Sequence, residues 1–364
     1  MRADQKNKVA VIGTVGLPAN YGGFETLTEN LANYHAKKCW PVEITVYCSS
    51  KSYAKKLGLY LEVNLKYIPL KPNGFQSVFY DIVGIFLACV GKSDIILLLG
   101  VSGAIILPIV QLFSSAKVIT NIDGIEWRRK KWNPVIRWYL RLSERIAVRY
   151  SNVVVSDNAV IAKYVQNTYG VPSVFIPYGG DHAINVNAVP VDEFKLPNKF
   201  CFSVCRIEPE NNVELILGAF SRVAKFSLVF IGNWNGSEYG RRLRAKYGRN
   251  SNLYLLDPIY DLGKLKSLRL RSILYVHGHS AGGTNPSLVE AMHFGVPIFA
   301  YDCDFNRATT EGGALYFEGP TELYQLIVSF KISQGQEAGA KMLAIAQRRY
   351  SWESVADEYL KLFI

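Results

Sequence analysis

The chain has 364 residues, 49% of them hydrophobic and 20% charged, with 22 Tyr, 18 Phe and 6 Trp. That length predicts two domains or three, and that apolar content excludes global disorder, collagen and a simple coiled coil. The net charge of +11 is lopsided: residues 1–181 hold 21 basic and 12 acidic side chains, residues 182–364 hold 20 and 18. An anionic partner is therefore expected at the N-terminal half. The six cysteines (Cys39, Cys48, Cys89, Cys201, Cys205 and Cys303) show no paired metal-ligand spacing and mostly sit in apolar runs. Free buried thiols in a reducing compartment are expected, and the polar, charged start does not read as a secretory signal.

The first predicted strand, 9–12, runs into GTVGLPANYGGFETLTENLANY, where Gly13, Gly16, Gly22 and Gly23 precede helical spacing. Glycines between a strand and its helix let backbone N–H groups approach a phosphate at the positive helix end. The spacing is not Gly-x-Gly-x-x-Gly and no acidic ribose hook follows. Four glycines with an aromatic among them still exceed what a turn needs, so a ligand-binding loop is expected. Strands follow at 43–48 and 95–99. The latter opens a run of 22 uncharged residues between Asp94 and Lys117, long enough to span a membrane. Gly100, Ser102, Gly103 and Pro108 inside it favour a buried parallel strand, a turn and a short helix, with a true span as the alternative.

Strands at 117–121, 152–156 and 174–176 come next. Asp123 follows the first of these and is expected to point into a cleft. Residues 121–150 carry eight basic and three acidic side chains. Arg137, Arg141, Arg145 and Arg149 recur every four residues and predict one helical stripe, with Arg128, Arg129, Lys130 and Lys131 clustered before it and Trp127, Trp132 and Trp138 alongside. Such a segment suits an anionic membrane surface. A solvated charged helix is the alternative, and nucleic acid is not expected because no recognised module accompanies the charge.

The stretch from Tyr178 to Asn198, with YGGD and two prolines, reads as a linker. A second series of strands follows at 200–205, 227–231, 253–255, 273–276, 297–300 and 314–317. Arg206, in FSVCRIEPENN, stands at the end of the first of these, where a guanidinium can clamp a diphosphate bidentately or be an ordinary surface arginine. The strand at 273–276 leads into HGHSAGGTNPSLVEAMHFGVP. Its Gly282, Gly283, Thr284 and Asn285 enter a helix near Pro286 and present unpaired N–H groups suited to phosphate. Glu290, one turn on, can accept hydrogen bonds from sugar or ribose hydroxyls, or be a solvated carboxylate. His277 and His279 lack a third ligand, so no metal is expected. Residues 336–350 look helical, as does the terminal SWESVADEYLKLFI, with Ser351 as a candidate N-cap. Strands alternating with helices in two series predict an α/β protein of two doubly wound domains with parallel sheets. The expected divisions are 1–180, a linker at 181–198, 199–349, and a helix at 350–364 crossing back to the first domain.

GTVGLPANYGGFET, NIDGIEWRRKKW, RIEPENN and HGHSAGGTNPSLVEAM together resemble bacterial polysaccharide rhamnosyltransferases of the family 4 retaining glycosyltransferases. The resemblance runs over nearly the whole chain. It implies a GT-B fold, two Rossmann-like domains facing across a cleft, with the nucleotide-sugar donor on the C-terminal domain and the acceptor on the N-terminal one. It also implies that Arg206 contacts the donor diphosphate with the Gly283 and Thr284 N–H groups, that His279, Gly282 and Asn285 line the donor, and that Glu290 takes a ribose hydroxyl. Gly22 and Gly23 would close over the phosphates, and Asp123 would stand beside the reacting sugar. The expected donor is TDP-rhamnose, and the acceptor a polyprenyl-diphosphate-linked saccharide. That acceptor would be met at the inner face of the cell membrane by a cytoplasmic, peripheral enzyme that needs no metal or other cofactor. Trp127, Arg128, Arg129, Arg137, Arg141 and Arg145 would face the acceptor or the membrane. The wider family has Glu-x7-Glu, whose first position is Gly282 here, and a Lys where Asn211 stands; the missing carboxylate fits a 6-deoxy sugar. The rivals are a sugar-nucleotide epimerase of the same shape and a non-catalytic binder of anionic lipid or polymer.

Overall fold

The computed structural model describes residues 6–19, 22–72, 74, 76–122, 124–129, 132–223 and 225–364. The chain divides into two compact units, 1–177 with 353–364, and 178–352.

The first unit runs β1 (Asn7–Ile12), α1 (Gly23–Lys38), β2 (Val42–Ser49), β3 (Leu59–Tyr60), β4 (Val63–Ile68), α2 (Gln76–Val90), β5 (Ile95–Leu99), α3 (Leu107–Phe113), β6 (Lys117–Ile122), α4 (Pro134–Tyr150), β7 (Val153–Ser156), α5 (Ala159–Tyr169) and β8 (Val174–Phe175). Its eight-stranded sheet has the order β3-β4-β2-β1-β5-β6-β7-β8, parallel except for the β3–β4 hairpin. The apolar run after Asp94 resolves as expected: β5 is buried at all five residues between β1 and β6, and α3 spans only seven. Among the described residues no helix is long and apolar enough to cross a membrane. The unforeseen strands were β3 and β4. VNLKYI interleaves Asn64 and Lys66 with apolar residues because β4 lies near the sheet edge, where one face meets water.

The second unit contains β9 (Phe200–Val204), α6 (Val213–Phe220), β10 (Leu228–Ile231), α7 (Glu238–Tyr247), β11 (Leu253–Leu256), α8 (Leu262–Arg271), β12 (Ser272–His277), α9 (Pro286–Met292), β13 (Ile298–Tyr301), α10 (Asp304–Thr309), β14 (Leu315–Phe317), α11 (Pro320–Ser329) and α12 (Ile332–Arg349). Its six parallel strands run β11-β10-β9-β12-β13-β14. One apolar core joins the sheet to α6, α7 and α11, and a second joins its other face to α8, α9 and α12. Both units are thus doubly wound.

The stretch read as a linker is laid along α8. Lys266 Nζ donates to the carbonyls of Ile184 and Val186 at 2.8 Å each, Ser267 Oγ to that of Val189 at 2.6 Å, and Arg271 to those of Leu196 and Pro197. Peptide carbonyls with no sheet or helix partner have been satisfied by side chains of one helix.

The last helix, α13 (Trp352–Phe363), packs from Glu353 onward within the first unit. Phe363 is fully buried against Trp40, and Lys117 Nζ and Asn7 Nδ2 hold the carbonyls of Leu362 and Phe363. Tyr359 Oη accepts from buried Asn121 Nδ2 at 2.6 Å. Tyr359→Phe leaves that amide without its acceptor and is expected to cost about 1–2 kcal/mol by denaturant unfolding; an unchanged midpoint would mean water replaces the phenol.

The six cysteines are free thiols. Burial pushes the Cys48 thiol up to about 11. Cys48 and Cys201 are buried, Cys89, Cys205 and Cys303 are partly so, and Cys39, at the end of α1, is exposed.

Candidate active site

In the second unit the winding runs outward from β9 through β10 to β11, and from β12 through β13 to β14. It reverses between β9 and β12, and the carboxyl ends of strands at such a point are where open parallel sheets bind ligands. Arg206 follows β9 directly. Its side chain is 45% exposed, with Nη1 3.7 Å from Glu208 Oε1, a loose pair that leaves the guanidinium free to turn. The loop it begins is knitted to the one after β12. Asn212 Nδ2 donates to the Gly278 carbonyl at 2.9 Å, and the Ser280 N–H and hydroxyl both donate to the Glu210 carbonyl. Gly278 comes so close that a Cβ would stand 2.2 Å from the Asn211 carbonyl oxygen. Asn211, where the resemblance leads one to expect lysine, is buried, and its Nδ2 holds the Arg206 carbonyl at 2.8 Å. It fixes the backbone of Arg206 rather than supplying charge.

His277 and His279 stack with ring centroids 4.3 Å apart, the planes 11° from parallel. Burial, and then the charge of His279, holds His277 well below the ordinary imidazole value. Among the described residues no group of three or more His, Cys, Asp or Glu could hold a metal ion. Gly282 adopts φ +119°, a conformation side chains rarely tolerate. The absence of glutamate there has a backbone cause, so the inference from that position to a donor lacking a hydroxyl loses force. Thr284 is buried, and Asn285 precedes α9 with Pro286 in its first turn.

Glu290 faces inward beside buried Leu288 and Val289, 14% exposed. Its Oε2 pairs with Arg269, itself buried, and its Oε1 lies 3.3 Å from His182 Nε2. Burial alone would raise this carboxyl; the Arg269 charge and the His182 contact outweigh it and hold it below its usual range. Glu290 is therefore an ionised acceptor already fixed at both oxygens, not a solvated carboxylate. On the same sheet edge a cleft of about 450 Å³ opens beyond β11, lined by Leu256, Asp257, Pro258, Tyr260 and Arg244 among others. Sequence reading missed it because its walls are loop residues without a motif.

In the first unit the winding reverses between β1 and β5. Gly13, after β1, adopts φ +94° against the Leu99 carbonyl, where a Cβ would lie 2.1 Å away. Gly22 adopts φ +137° over the Glu25 carboxylate, and Gly23 begins α1. Two carboxylates on α1, unnoticed in the sequence, hold the glycine loop from beneath. Glu25 accepts from the Val15 N–H at 2.7 Å and the Thr14 hydroxyl at 3.2 Å; Glu29 accepts from the Ala19 N–H and the Tyr60 hydroxyl. Burial raises Glu25 above its ordinary value despite those donors. Across the reversal, buried Asp81 accepts from the Gly103 N–H of the loop after β5, and burial pushes its carboxyl up to about 8. Asp123 lies outside the described residues, as do Lys130 and Lys131.

The basic segment forms α4 as expected, opened by Asn133, whose Oδ1 accepts from the Ile136 N–H. The arginine stripe is exposed at three of its four positions. A four-residue step advances about 40° per repeat on a 3.6-residue helix, so the row drifts across the face and its first member meets the packed side. Arg137 turns inward, donating to the Arg129 carbonyl, while Arg141, Arg145 and Arg149 are exposed. Trp127 and Trp132 are not open anchors either. Trp127 is flanked by the Arg128 and Arg141 guanidinium groups at 5.2 Å each, and its Nε1 points at Glu144 and Tyr164. Trp132 donates to Glu126, which also pairs with Arg129. Trp138 alone of the three is largely exposed, at 67%.

Residues 6–181 match a domain of unknown function, DUF1972, and residues 189–317 match the glycosyl transferases group 1. The chain has the GT-B fold, and its 189–317 segment is similar to the glycosyl transferases group 1. It aligns with sucrose-phosphate synthase from Thermosynechococcus elongatus at a TM-score of 0.81, 14% identity and 98% coverage of both chains. Anabaena HepE in complex with UDP gives 0.70 and 14%, covering 98% of this chain and 99% of that one. A Listeria monocytogenes protein described as a UDP-N-acetylglucosamine 2-epimerase gives 0.64 and 15%, covering 98% and 95%. At these identities the likeness establishes the fold. No curated protein matches the chain.

Proposed function

We propose that the protein is a retaining glycosyltransferase that moves L-rhamnose from TDP-rhamnose onto a polyprenyl-diphosphate-linked saccharide in cell-surface polysaccharide synthesis. The observation that carries the reading is Arg206, free to turn at the carboxyl end of β9 where the second sheet reverses its winding. As the anomeric bond breaks, its electron pair goes to the diphosphate oxygen, and a guanidinium aimed there stabilises the growing charge. The acceptor hydroxyl attacks from the same face, and its proton passes to the departing phosphate oxygen. No side chain need serve as base, and Arg206 with the Gly283 and Thr284 N–H groups does the work otherwise given to a metal. Asp123 would steady the sugar ring. An epimerase would need acid and base carboxylates about the sugar, whereas the donor turn supplies only Glu290, already engaged by Arg269 and His182.

Donor identity rests on the sequence resemblance and is tested by turnover. TDP-rhamnose is expected to be used in clear preference to UDP-glucose, and equal use would discard the rhamnosyl assignment. Gly282→Glu is not a clean probe, because φ +119° penalises any side chain there.

An anionic membrane surface as partner is supported by exposed apolar residues beside the basic ones. At the end of α3 Leu112 is 77% and Phe113 85% exposed, and Trp138 on α4 stands near Arg141 and Arg145 in sequence. Gln111 Nε2 donates to the Tyr150 carbonyl and fixes α3 to α4. Each basic side chain near an anionic surface contributes about 1 kcal/mol, and tryptophan favours the interface. Vesicle co-sedimentation is expected to weaken with rising salt, and about tenfold or more in Arg141→Ala/Arg145→Ala. Binding indifferent to salt, lipid charge and both substitutions would remove the membrane from the proposal.

A further inference from the structure

The chain enters the second unit at Tyr178 and leaves it after Trp352. The residues at these two ends meet beside Glu290. A Cβ on Gly179 would stand 2.6 Å from the Trp352 ring, and one on Gly180 would stand 2.7 Å from the Val289 carbonyl and 2.8 Å from the Glu290 nitrogen. The entering segment therefore lies wedged between Trp352 and the α9 backbone, a position only glycine can occupy. Gly180 N–H donates to the Tyr350 carbonyl at 2.8 Å, and the Trp352 N–H donates to Asp181 Oδ1 at 2.7 Å.

The next residue, His182, has both ring nitrogens engaged. Trp352 Nε1 is 2.8 Å from His182 Nδ1, and His182 Nε2 is 3.3 Å from Glu290 Oε1. An indole N–H can only donate, so Nδ1 must accept. The ring proton then sits on Nε2, directed at the carboxylate. Arg269 holds the other carboxylate oxygen. Each Glu290 oxygen thus receives one donor and keeps lone-pair capacity for a further one. A carboxylate fixed in this way presents its remaining acceptor sites in one orientation, at no further ordering cost when a ligand arrives.

We infer that His182 is a positioning residue for Glu290, with its tautomer set by Trp352, and that the pair tunes how tightly the donor's ribose hydroxyl is held. The inference rests on Glu290 accepting that hydroxyl, as put forward above. Sequence spacing gave no hint of it, because His182 stands 108 residues before Glu290 and Trp352 stands 62 after it.

The contact is made in ground state and transition state alike, so its loss should raise KM with kcat little changed. The test measures binding of thymidine diphosphate and uridine diphosphate by titration calorimetry, each beside its 2′,3′-dideoxy analogue. Wild type, His182→Ala, His182→Phe, His182→Gln and Trp352→Phe are compared, with melting temperatures to confirm folding. Wild type is expected to prefer the hydroxylated nucleotides. His182→Ala and His182→Phe should lose about 10-fold in affinity for those and little for the dideoxy forms. His182→Gln should restore the preference, since its amide can accept from Trp352 and donate to Glu290. Trp352→Phe frees the tautomer and should lie between. Variants that keep the wild-type preference, or that weaken both nucleotide forms equally, would overturn the positioning role while leaving Glu290's contact intact. A wild type indifferent to the ribose hydroxyls would overturn the Glu290 assignment itself, and this inference with it.

Discussion

Arg206→Ala is expected to lower kcat/KM by roughly 30- to 900-fold, the equivalent of about 2–4 kcal/mol of transition-state stabilisation. The melting transition should stay in place. The side chain is nearly half exposed and its charge partner Glu208 is 3.7 Å away, while the backbone at this position is held by Asn211 and not by the guanidinium. Arg206→Lys should recover only part of the loss, because an ammonium cannot match two phosphate oxygens in a planar fork. Near-normal turnover in a folded Arg206→Ala protein would remove the diphosphate clamp from the mechanism, and with it the leading reason for placing the donor at the β9–β12 reversal. A fall in turnover accompanied by a collapsed melting temperature would instead make Arg206 a structural residue.

The second large effect concerns Asp81. Its carboxyl is pushed by burial from an ordinary value of 3.8 up to about 8, so the folded protein keeps a proton that the unfolded chain releases. A group with a raised folded value contributes stability that is complete below about pH 4 and is lost as pH climbs through 8. The wild type should therefore lose on the order of 5 kcal/mol from this residue between those limits. Asp81→Asn keeps an oxygen for the Gly103 N–H and carries no charge to bury. It should match the wild type near pH 4 and exceed it by several kcal/mol at pH 8. Denaturant midpoints across that range decide the matter; parallel wild-type and Asp81→Asn curves would mean that the carboxylate finds solvent or a counter-charge when it ionises.

Much of the architecture was legible because buried parallel strands are written as short apolar runs. IILLL and FCFSV needed no context to be found. VNLKYI did, because a strand next to the sheet edge, half in water, alternates and is too short for the alternation to stand out. The glycine turns were legible as turns, since positive φ at Gly13, Gly22 and Gly282 restricts the residue type. What holds them was not. Glu25 under Gly22, Asn211 under Arg206 and Asp81 under Gly103 are polar residues in unremarkable helical or loop settings. Their partners are fixed by three-dimensional approach and not by spacing. The arginine stripe was legible except at its first member: the drift of a four-residue spacing carries Arg137 toward the Arg129 carbonyl, while Arg141, Arg145 and Arg149 stay exposed.

The order in which the chain emerges during synthesis interacts with the placement of α13. Residues 353–364 complete the first unit, yet they are made after the whole of 178–352. Until they arrive, Trp40 lacks Phe363, and Asn121 lacks the Tyr359 hydroxyl. A nascent chain therefore carries a complete second unit beside a first unit with an open apolar face. Such a face is what chaperones bind and proteases find. Nonsense or frameshift lesions after residue 352 would spare every residue discussed around Arg206, Glu290 and the glycine loop. They should nonetheless abolish accumulation of the protein in the cell.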